Sequence, residues 1–273
     1  MIAFQAWIRG AVMLPVFFVL CMPPALSLED VAGQQARVAQ LVFHNECAGR
    51  IACLTSWNKG EEFASLGIGH FIWYPAGVAE VDKPFRESFP QLLVFLRNHD
   101  VALPGWLASA GACPWPDRDS FVHDIEAPRM QLLRSMLEKT MPLQAAFISR
   151  RLDAALPEII KAAPEHRREH IRQQYRRVAA SPMGSYALTD YVNFKGEGVS
   201  EKERYHGQGW GLMQVLEAMH GDEQGLAAIE EFARAADTML TRRVANSPPE
   251  RHEVRWLDGW RKRLATYVAE ARR

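Results

Sequence analysis

The 273-residue chain lacks an excess of charge of either sign, because 32 Lys and Arg residues balance 32 Asp and Glu residues. A protein without a basic surplus has no long-range attraction to nucleic acid or to an anionic membrane surface, so neither is expected as a partner. The sequence also lacks internal repeats and low-complexity linkers, which argues against a repeat array.

The chain also lacks an apolar run long enough to span a membrane comfortably, which takes about 20 residues. Its longest run, residues 11–22, follows Arg9 and precedes Ala25-Leu26-Ser27, the small-x-small pattern of a signal-peptidase site. A lipid anchor is not expected, because Leu20 precedes Cys21 where a lipoprotein signal has a small residue. We therefore predict a signal peptide over residues 1–27 and a single domain over residues 28–273, periplasmic or secreted, with no stable membrane anchor.

Cysteine is scarce, and residues 28–273 keep only Cys47, Cys53 and Cys113. Export permits disulfides, but an odd number allows at most one bridge within the chain. A Cys53–Cys113 bridge would join the predicted hairpin to a Pro-Trp-Pro loop, whereas a Cys47–Cys53 bridge would brace the segment around Glu46. Both pairings are open.

Helical patterns dominate the sequence, and the only convincing β signal is a hairpin within residues 45–75. We predict a mostly α (α+β) fold. The predicted helices cover residues 28–46, 84–100, 120–140, 142–163, 164–178, 186–194, 210–220, 225–244 and 248–273. Residues 105–119 and 195–209 are predicted to be loops, since they are rich in Gly, Pro or polar residues.

The clearest candidate for chemistry is Glu46, at the predicted end of the first helix and just before the hairpin. Cleavage of a glycosidic bond needs a carboxylic acid that protonates the leaving oxygen, together with a second carboxylate or a positioned water. A carboxyl group at a helix end that faces a polar hairpin suits the first of these roles. We therefore predict that Glu46 is a general acid.

Residues 54–70, LTSWNKGEEFASLGIGH, resemble the hairpin of phage-type lysozymes, which have a catalytic Glu on the preceding helix, a hydroxyl residue and then Gly-Ile-Gly-His. Residues 187–198, ALTDYVNFKGEG, are similar to the later ALxxFxFNxGxG helix end of that family, and residues 259–263 resemble its GLxxRR segment. The three pieces occur in the family's order. The resemblance implies a lysozyme-like helical domain with one small β-hairpin that cleaves β-1,4 linkages of peptidoglycan. A related amino-sugar polymer, as in a chitosanase-like enzyme, is also open as the substrate, because the fold family hosts several glycan chemistries.

A second resemblance points to the same superfamily. Residues 45–49, NECAG, are similar to the ESHAG of goose-type lysozymes. Residues 210–215, WGLMQV, resemble the GLMQV of goose-type lysozymes and lytic transglycosylases, although in those relatives the motif closely follows the catalytic Glu. The lysozyme-like superfamily as a whole is therefore the expected family.

The sequence departs from the phage-type pattern at the second carboxylate, because Lys59 occupies the aligned Asp position. Three outcomes are open. Glu61 or Glu62, in the same turn, substitutes and supports hydrolysis. Alternatively, no second carboxylate is needed, as in transglycosylases, where one Glu acts first as acid and then as base. In the third outcome the site has lost catalysis and the chain is a cell-wall-binding module.

The resemblance also assigns roles to residues around Glu46. Ser65 matches the family's hydroxyl position, where it orients a water or the substrate, and joins the catalytic candidates Glu46, Glu61 and Glu62. The predicted substrate-binding residues are Asn58, His70, Tyr191, Asn193 and Gln214, since aromatic faces stack on sugars and amides pair with N-acetyl groups.

One competing motif is the H-x-x-E-H string at residues 166–170, which is the signature of inverted zinc peptidases. His166 and His170 are spaced to share a metal on a helix face. The string lies in a strongly charged segment, however, and no third ligand is identifiable downstream. We therefore predict a glycan-cleaving enzyme that needs no metal or cofactor, and keep a zinc peptidase as the weaker alternative.

Overall fold

The fold is described from a computed structural model that covers residues 28–80, 83 and 85–273. The predicted signal peptide, residues 1–27, and Cys21 lie outside the described residues. Eleven helices occur within these ranges, and the predicted mostly α (α+β) class is confirmed. The helices are α1 (Leu28–Cys47), α2 (Phe89–Arg97), α3 (Gly105–Ala108), α4 (Arg118–His123), α5 (Pro128–Lys139), α6 (Met141–Ala162), α7 (Arg168–Ala179), α8 (Gly184–Lys195), α9 (Leu212–Ala218), α10 (Leu226–Asn246) and α11 (Val254–Ala271).

Two small antiparallel sheets accompany the helices. The predicted hairpin is a three-stranded meander of β1 (Thr55–Ser56), β2 (Ala64–Leu66) and β3 (Phe71–Trp73), in that spatial order. The second sheet, β4 (Arg204–Tyr205) with β5 (Gln208–Gly209), lies in a segment predicted to be a loop. Sequence reasoning missed it because two-residue strands are too short to show alternation.

Prolines and caps explain why several predicted helices have different bounds. The predicted helix at 120–140 is divided into α4 and α5, because Ala127 precedes Pro128 and is extended, with ψ 150°. Asp117 caps α4, where its side chain accepts a hydrogen bond from the backbone N–H of Ser120 at 2.7 Å. The helix predicted at 84–100 begins only at Phe89, after Ser88 at the N-cap.

A single continuous apolar cluster holds the helices and the first sheet together. The long helix α6 packs against α1 and α8, while α10 packs against α11 and α9. In the part of the chain that the structure describes, no helix has the length and apolar content needed to cross a membrane.

Of the two disulfides left open by the sequence, the structure contains Cys47–Cys53. This bridge joins the last residue of α1 to the segment just before β1. Cys113 is a free, buried thiol, and burial raises its pKa to about 12.

Candidate active site

Glu46 lies one residue before the end of α1, where the chain leaves the helix. Ala48 and Gly49 both adopt left-handed conformations, with φ 49° and 71°, and the N–H of Ala48 donates to the carbonyl of His44 at 2.8 Å. Left-handed residues commonly end helices in this way. The Cys47–Cys53 bridge fixes the same turn, so the position of Glu46 is held from both sides.

The Glu46 carboxylate is a hydrogen-bonded group with a side-chain exposure of 12%. Its Oε1 accepts from Nη2 of Arg263 at 2.6 Å and from Nδ2 of Asn193 at 3.0 Å. Its Oε2 lies 3.5 Å from Nδ1 of His70. Both close donors therefore bind one oxygen, and the other oxygen is directed toward His70.

Arg263 links Glu46 to a second carboxylate, Asp190. Arg263 donates to both oxygens of Asp190, at 2.7 and 2.8 Å, while the Tyr267 hydroxyl donates to Oδ2 at 2.6 Å and the Asn45 amide to Oδ1 at 3.2 Å. Asp190 is fully buried and each of its oxygens has two donors. It is therefore suited to hold Arg263 in place and cannot reach a substrate.

The charge of Arg263 depends on these carboxylates. Burial disfavours the guanidinium charge, but Asp190 and then Glu46 outweigh burial and raise the pKa of Arg263 well above its ordinary value. Arg263 also lies over the Phe194 ring, 4.2 Å from its centroid. Position 263 thus carries a permanent positive charge beside Glu46.

A second basic side chain near Glu46, Lys195, packs against aromatic rings. Lys195 places Nζ over the rings of Trp260 and Phe194, 3.5 and 3.9 Å from the centroids. Burial, followed by the charges of Arg243 and Arg263, lowers the pKa of Lys195 to about 6. At neutral pH this amine is therefore mostly uncharged.

A cleft of about 370 Å³ opens beside His70 and Asn193, the two Glu46 partners that reach its wall. This volume is near the lower end of the range for small-molecule sites, about 300–1,000 Å³. The β2–β3 turn, α6 and the segment after α8 form its walls. The lining residues are Gly69, His70, Ile72, Phe85, Arg86, Ser88, Ile148, Arg151, Leu152, Val192, Asn193, Gly196, Glu197, Val199, Ser200 and Glu203.

The Gly-Ile-Gly-His turn is shaped by close packing against α6. The buried Gln144 accepts from the N–H of Ile68 at 2.9 Å and donates to the carbonyl of Leu137 at 2.6 Å. Gly67 has φ 71°, and a Cβ there would lie 2.3 Å from the Gln144 amide oxygen. A side chain at position 67 is therefore excluded both by the backbone and by its neighbour, and the turn delivers His70 to the cleft.

Two of the predicted substrate-binding residues, His70 and Asn193, contact Glu46 and line the cleft, whereas Glu46 lies behind them and is not itself a lining residue. Ser65 is buried in β2 and lies directly opposite Ile72 of β3, which lines the cleft. Residues opposite each other in an antiparallel pair project from the same face. Ser65 thus lies on the cleft side of the sheet, beneath its surface.

In the β1–β2 turn, the predicted site residues Asn58 and Glu61 interact with each other. Asn58 donates to Oε2 of Glu61 at 3.1 Å, and the carbonyl of Glu61 accepts from the Trp57 indole at 2.7 Å. Glu62 is exposed. Among residues 28–80, 83 and 85–273, no hydrogen bond or ion pair joins Glu61 or Glu62 to Glu46.

The structure places Tyr191 and Gln214 away from the cleft wall. Tyr191 is fully buried, and its hydroxyl donates to the carbonyl of Trp210 at 2.7 Å, so it belongs to the core and cannot stack on a sugar. Gln214 accepts from the N–H of Gly211 at 3.0 Å and donates to the carbonyl of Gly198 at 3.0 Å. Its amide ties α9 to the segment that follows α8.

The H-x-x-E-H string is divided between two elements. His166 lies in a 3₁₀ turn, Glu165–Arg167, whereas His170 lies on α7 and faces His220, with ring centroids 6.1 Å apart. In the described ranges, the group of three or more His, Cys, Asp and Glu residues spaced for a metal is Cys47, Cys53 and His70, and this group does not include the string.

Sequence reasoning gave no role to Arg263, Asp190 or Tyr267. Two of them lie inside quoted family-like segments, Asp190 within 187–198 and Arg263 within 259–263, and that was the available signal. Comparison of the chain with protein-family models, with curated proteins and with solved structures finds no significant match. The resemblance to the lysozyme-like superfamily therefore stays a prediction.

Proposed function

We propose that this chain is an exported enzyme that cleaves β-1,4 glycosidic bonds of peptidoglycan, as a muramidase or a lytic transglycosylase, with Glu46 as the general acid. The observation that carries the proposal is the asymmetric holding of Glu46. Arg263 and Asn193 bind Oε1, while Oε2 lies near His70, and both Asn193 and His70 line the cleft.

This arrangement suits proton donation. A proton on Glu46 belongs on Oε2, because Oε1 already accepts two hydrogen bonds. When the proton passes to the leaving oxygen of the sugar, the negative charge left on Glu46 is stabilised by the Arg263 guanidinium and the Asn193 amide. Charge-assisted hydrogen bonds of this kind stabilise an anion more strongly than neutral ones.

The step after proton transfer separates the two reaction types. In a transglycosylase, Glu46 takes a proton back from the sugar hydroxyl that attacks the anomeric carbon, and one carboxylate suffices. In a muramidase, either a water positioned by other groups attacks, or a second carboxylate activates a water or acts as a nucleophile. Asp190 cannot do this, since it is fully buried and its oxygens are occupied.

The test is to incubate the protein, residues 28–273, with purified peptidoglycan and to identify the products by mass spectrometry. We expect new fragments with reducing ends for hydrolysis or anhydro ends for transglycosylation. Glu46→Gln should lower the rate by at least about 100-fold, the usual cost of losing a general acid. Glu158→Gln, an exposed substitution on α6, should retain full activity.

A non-catalytic wall-binding module is the second candidate, favoured by Lys59 in the aligned Asp position. It predicts sedimentation with cell-wall sacculi and no soluble fragments. If the wild-type protein and Glu46→Gln release the same products at the same rate, the proposed role of Glu46 is wrong.

A further inference from the structure

The cleft beside Glu46 contains two arginines that the mechanism does not use. Arg151 projects from α6, Arg86 lies between β3 and α2, and both line the cavity. The two guanidinium groups are close enough to repel each other electrostatically. Arg86 is exposed, so water screens part of this repulsion, and an anion bound between the two groups would relieve the rest.

Neither arginine has a carboxylate partner in the described part of the chain. Arg151 lies over the Phe147 ring, 5.7 Å from its centroid, and forms no hydrogen bond or ion pair with another described residue. Arg86 likewise forms none among those residues. Burial lowers the pKa of Arg151, Glu197 partly offsets that effect, and Arg86 adds to it. A guanidinium that loses hydration without gaining an acceptor has a donor available for a ligand.

Two acidic residues, Glu197 and Glu203, share the cleft with the arginines, but neither forms an ion pair with them among the described residues. Burial raises the pKa of Glu203, although the Gly198 N–H that it accepts and the charge of Arg243 act in the opposite direction. Glu203 also packs against Gly196, where a Cβ would lie 2.6 Å from its Oε1. Glu197 influences Arg151 through space without a direct hydrogen bond between them. The guanidinium donors of Arg151 are therefore available to a ligand in the cleft.

We infer that Arg151, assisted by Arg86, forms a carboxylate subsite in the cleft, so that the site selects glycans that carry an acidic substituent over neutral amino-sugar polymers. The inference rests on the proposed function, because it assumes that a glycan occupies the cleft. Guanidinium groups pair well with carboxylates, since two N–H donors match the two oxygens. In peptidoglycan the carboxylate comes either from the lactyl group of the muramoyl sugar or from the stem peptide.

Binding measured without turnover tests this subsite. In a Glu46→Gln background, isothermal titration would compare three ligands: a GlcNAc–MurNAc disaccharide with its free lactyl carboxylate, the same disaccharide with a stem peptide, and neutral di-N-acetylchitobiose. We expect at least one acidic ligand to bind about tenfold or more tightly than the neutral one, because hydrogen bonds between a guanidinium and a carboxylate are stronger than those to a neutral group. The ligand that shows the preference identifies which carboxylate is bound.

Added to that background, Arg151→Gln should abolish the preference, so that acidic and neutral ligands bind with about equal affinity. Arg151→Lys should keep part of the preference, since the positive charge remains. The matched control is Arg150→Gln, on the neighbouring and exposed residue of α6 that does not line the cleft, and it should leave the preference unchanged. Circular dichroism melts would confirm that each variant is folded.

The subsite is refuted if acidic and neutral ligands bind equally, if no ligand binds, or if folded Arg151→Gln keeps the full preference. These outcomes are distinct from failure of the proposed function. A protein that prefers the acidic ligand but releases no products from peptidoglycan has the subsite without the enzyme. A protein that cleaves peptidoglycan and shows no preference has the enzyme without the subsite.

Discussion

Replacement of Arg263 by Met is the sharpest test of how the site is held together. The change removes the guanidinium and keeps an unbranched apolar stem. Asp190 would remain fully buried with only the Tyr267 hydroxyl and the Asn45 amide as donors, because Arg263 supplies two of its four hydrogen bonds. Breaking a buried ion pair from one side costs about 3–5 kcal/mol, because it leaves an uncompensated charge.

The assay is urea unfolding followed by circular dichroism, which reports stability whether or not the protein is an enzyme. A loss of about 3–5 kcal/mol is a large part of the roughly 5–15 kcal/mol that stabilises a typical domain. Arg263→Lys should lose less than Arg263→Met, since the positive charge remains while the two-pronged geometry is lost. A double variant, Arg263→Met with Asp190→Leu, should recover part of the loss because the fully buried carboxylate is removed together with its partner. Recovery stays partial because Glu46 still lacks the guanidinium.

The matched control is Arg261→Met, two residues earlier on α11, where the guanidinium is 46% exposed and pairs with Asp237. Exposed ion pairs contribute little to stability, so this variant should unfold like the wild type. Equal unfolding midpoints for Arg263→Met and Arg261→Met would refute the view that Arg263 and Asp190 form the structural base of the site.

Three further outcomes follow from individual residues. The pKa of Lys195 is about 6 in the folded chain and 10.5 ordinarily, so the unfolded chain binds more protons between pH 6 and 10. The free energy of unfolding of the wild type should therefore rise with pH relative to Lys195→Met, by at most about 1.4 kcal/mol per pH unit. Parallel pH profiles from urea unfolding, or the same effect in the exposed Lys59→Met, would contradict this. Glu61→Gln with Glu62→Gln should lower peptidoglycan cleavage less than about tenfold, because the pair lies in an exposed turn; a loss of about 100-fold or more would instead mark a second catalytic carboxylate. Gly67→Ala should lower the free energy of unfolding by at least about 1–2 kcal/mol, since it forces a left-handed Ala; an unchanged thermal midpoint would show that the turn relaxes.

The parts of the candidate site to which the sequence points are those with a local pattern. Glu46 lies where the α1 pattern ends, and His70 lies in a turn defined by glycines and a histidine. The structure brings these two side chains together, while their catalytic and binding roles stay predictions. Asn193 followed from the segment at the end of α8. Each has a local signal, either a helix end or a turn with conformational needs that few residues meet.

The parts that could not be predicted depend on long-range packing. Arg263 lies 217 residues from Glu46 in the chain, and no local pattern distinguishes it from the exposed Arg261. Tyr191 was predicted to face a sugar, but a tyrosine fits a core equally well when its hydroxyl has an acceptor, and here the carbonyl of Trp210 provides one. Whether a polar tip meets solvent, a ligand or a backbone carbonyl is decided by elements distant in sequence.

The folded site changes the interpretation of Lys59 at the aligned Asp position. From the sequence, a lysine at the aligned Asp position means a missing catalytic group in the β1–β2 turn. In the fold, Lys59 is exposed and Asn58 and Glu61 of that turn hydrogen-bond to each other, while the carboxylates that line the cleft are Glu197 and Glu203. If Glu46 is the acid, the segment after α8 offers carboxylates at the cleft, and the substrate hydroxyl or a positioned water offers a route that needs none. The β1–β2 turn then contributes little to the chemistry. A lysine is tolerated at position 59 because no catalytic carboxylate is needed there.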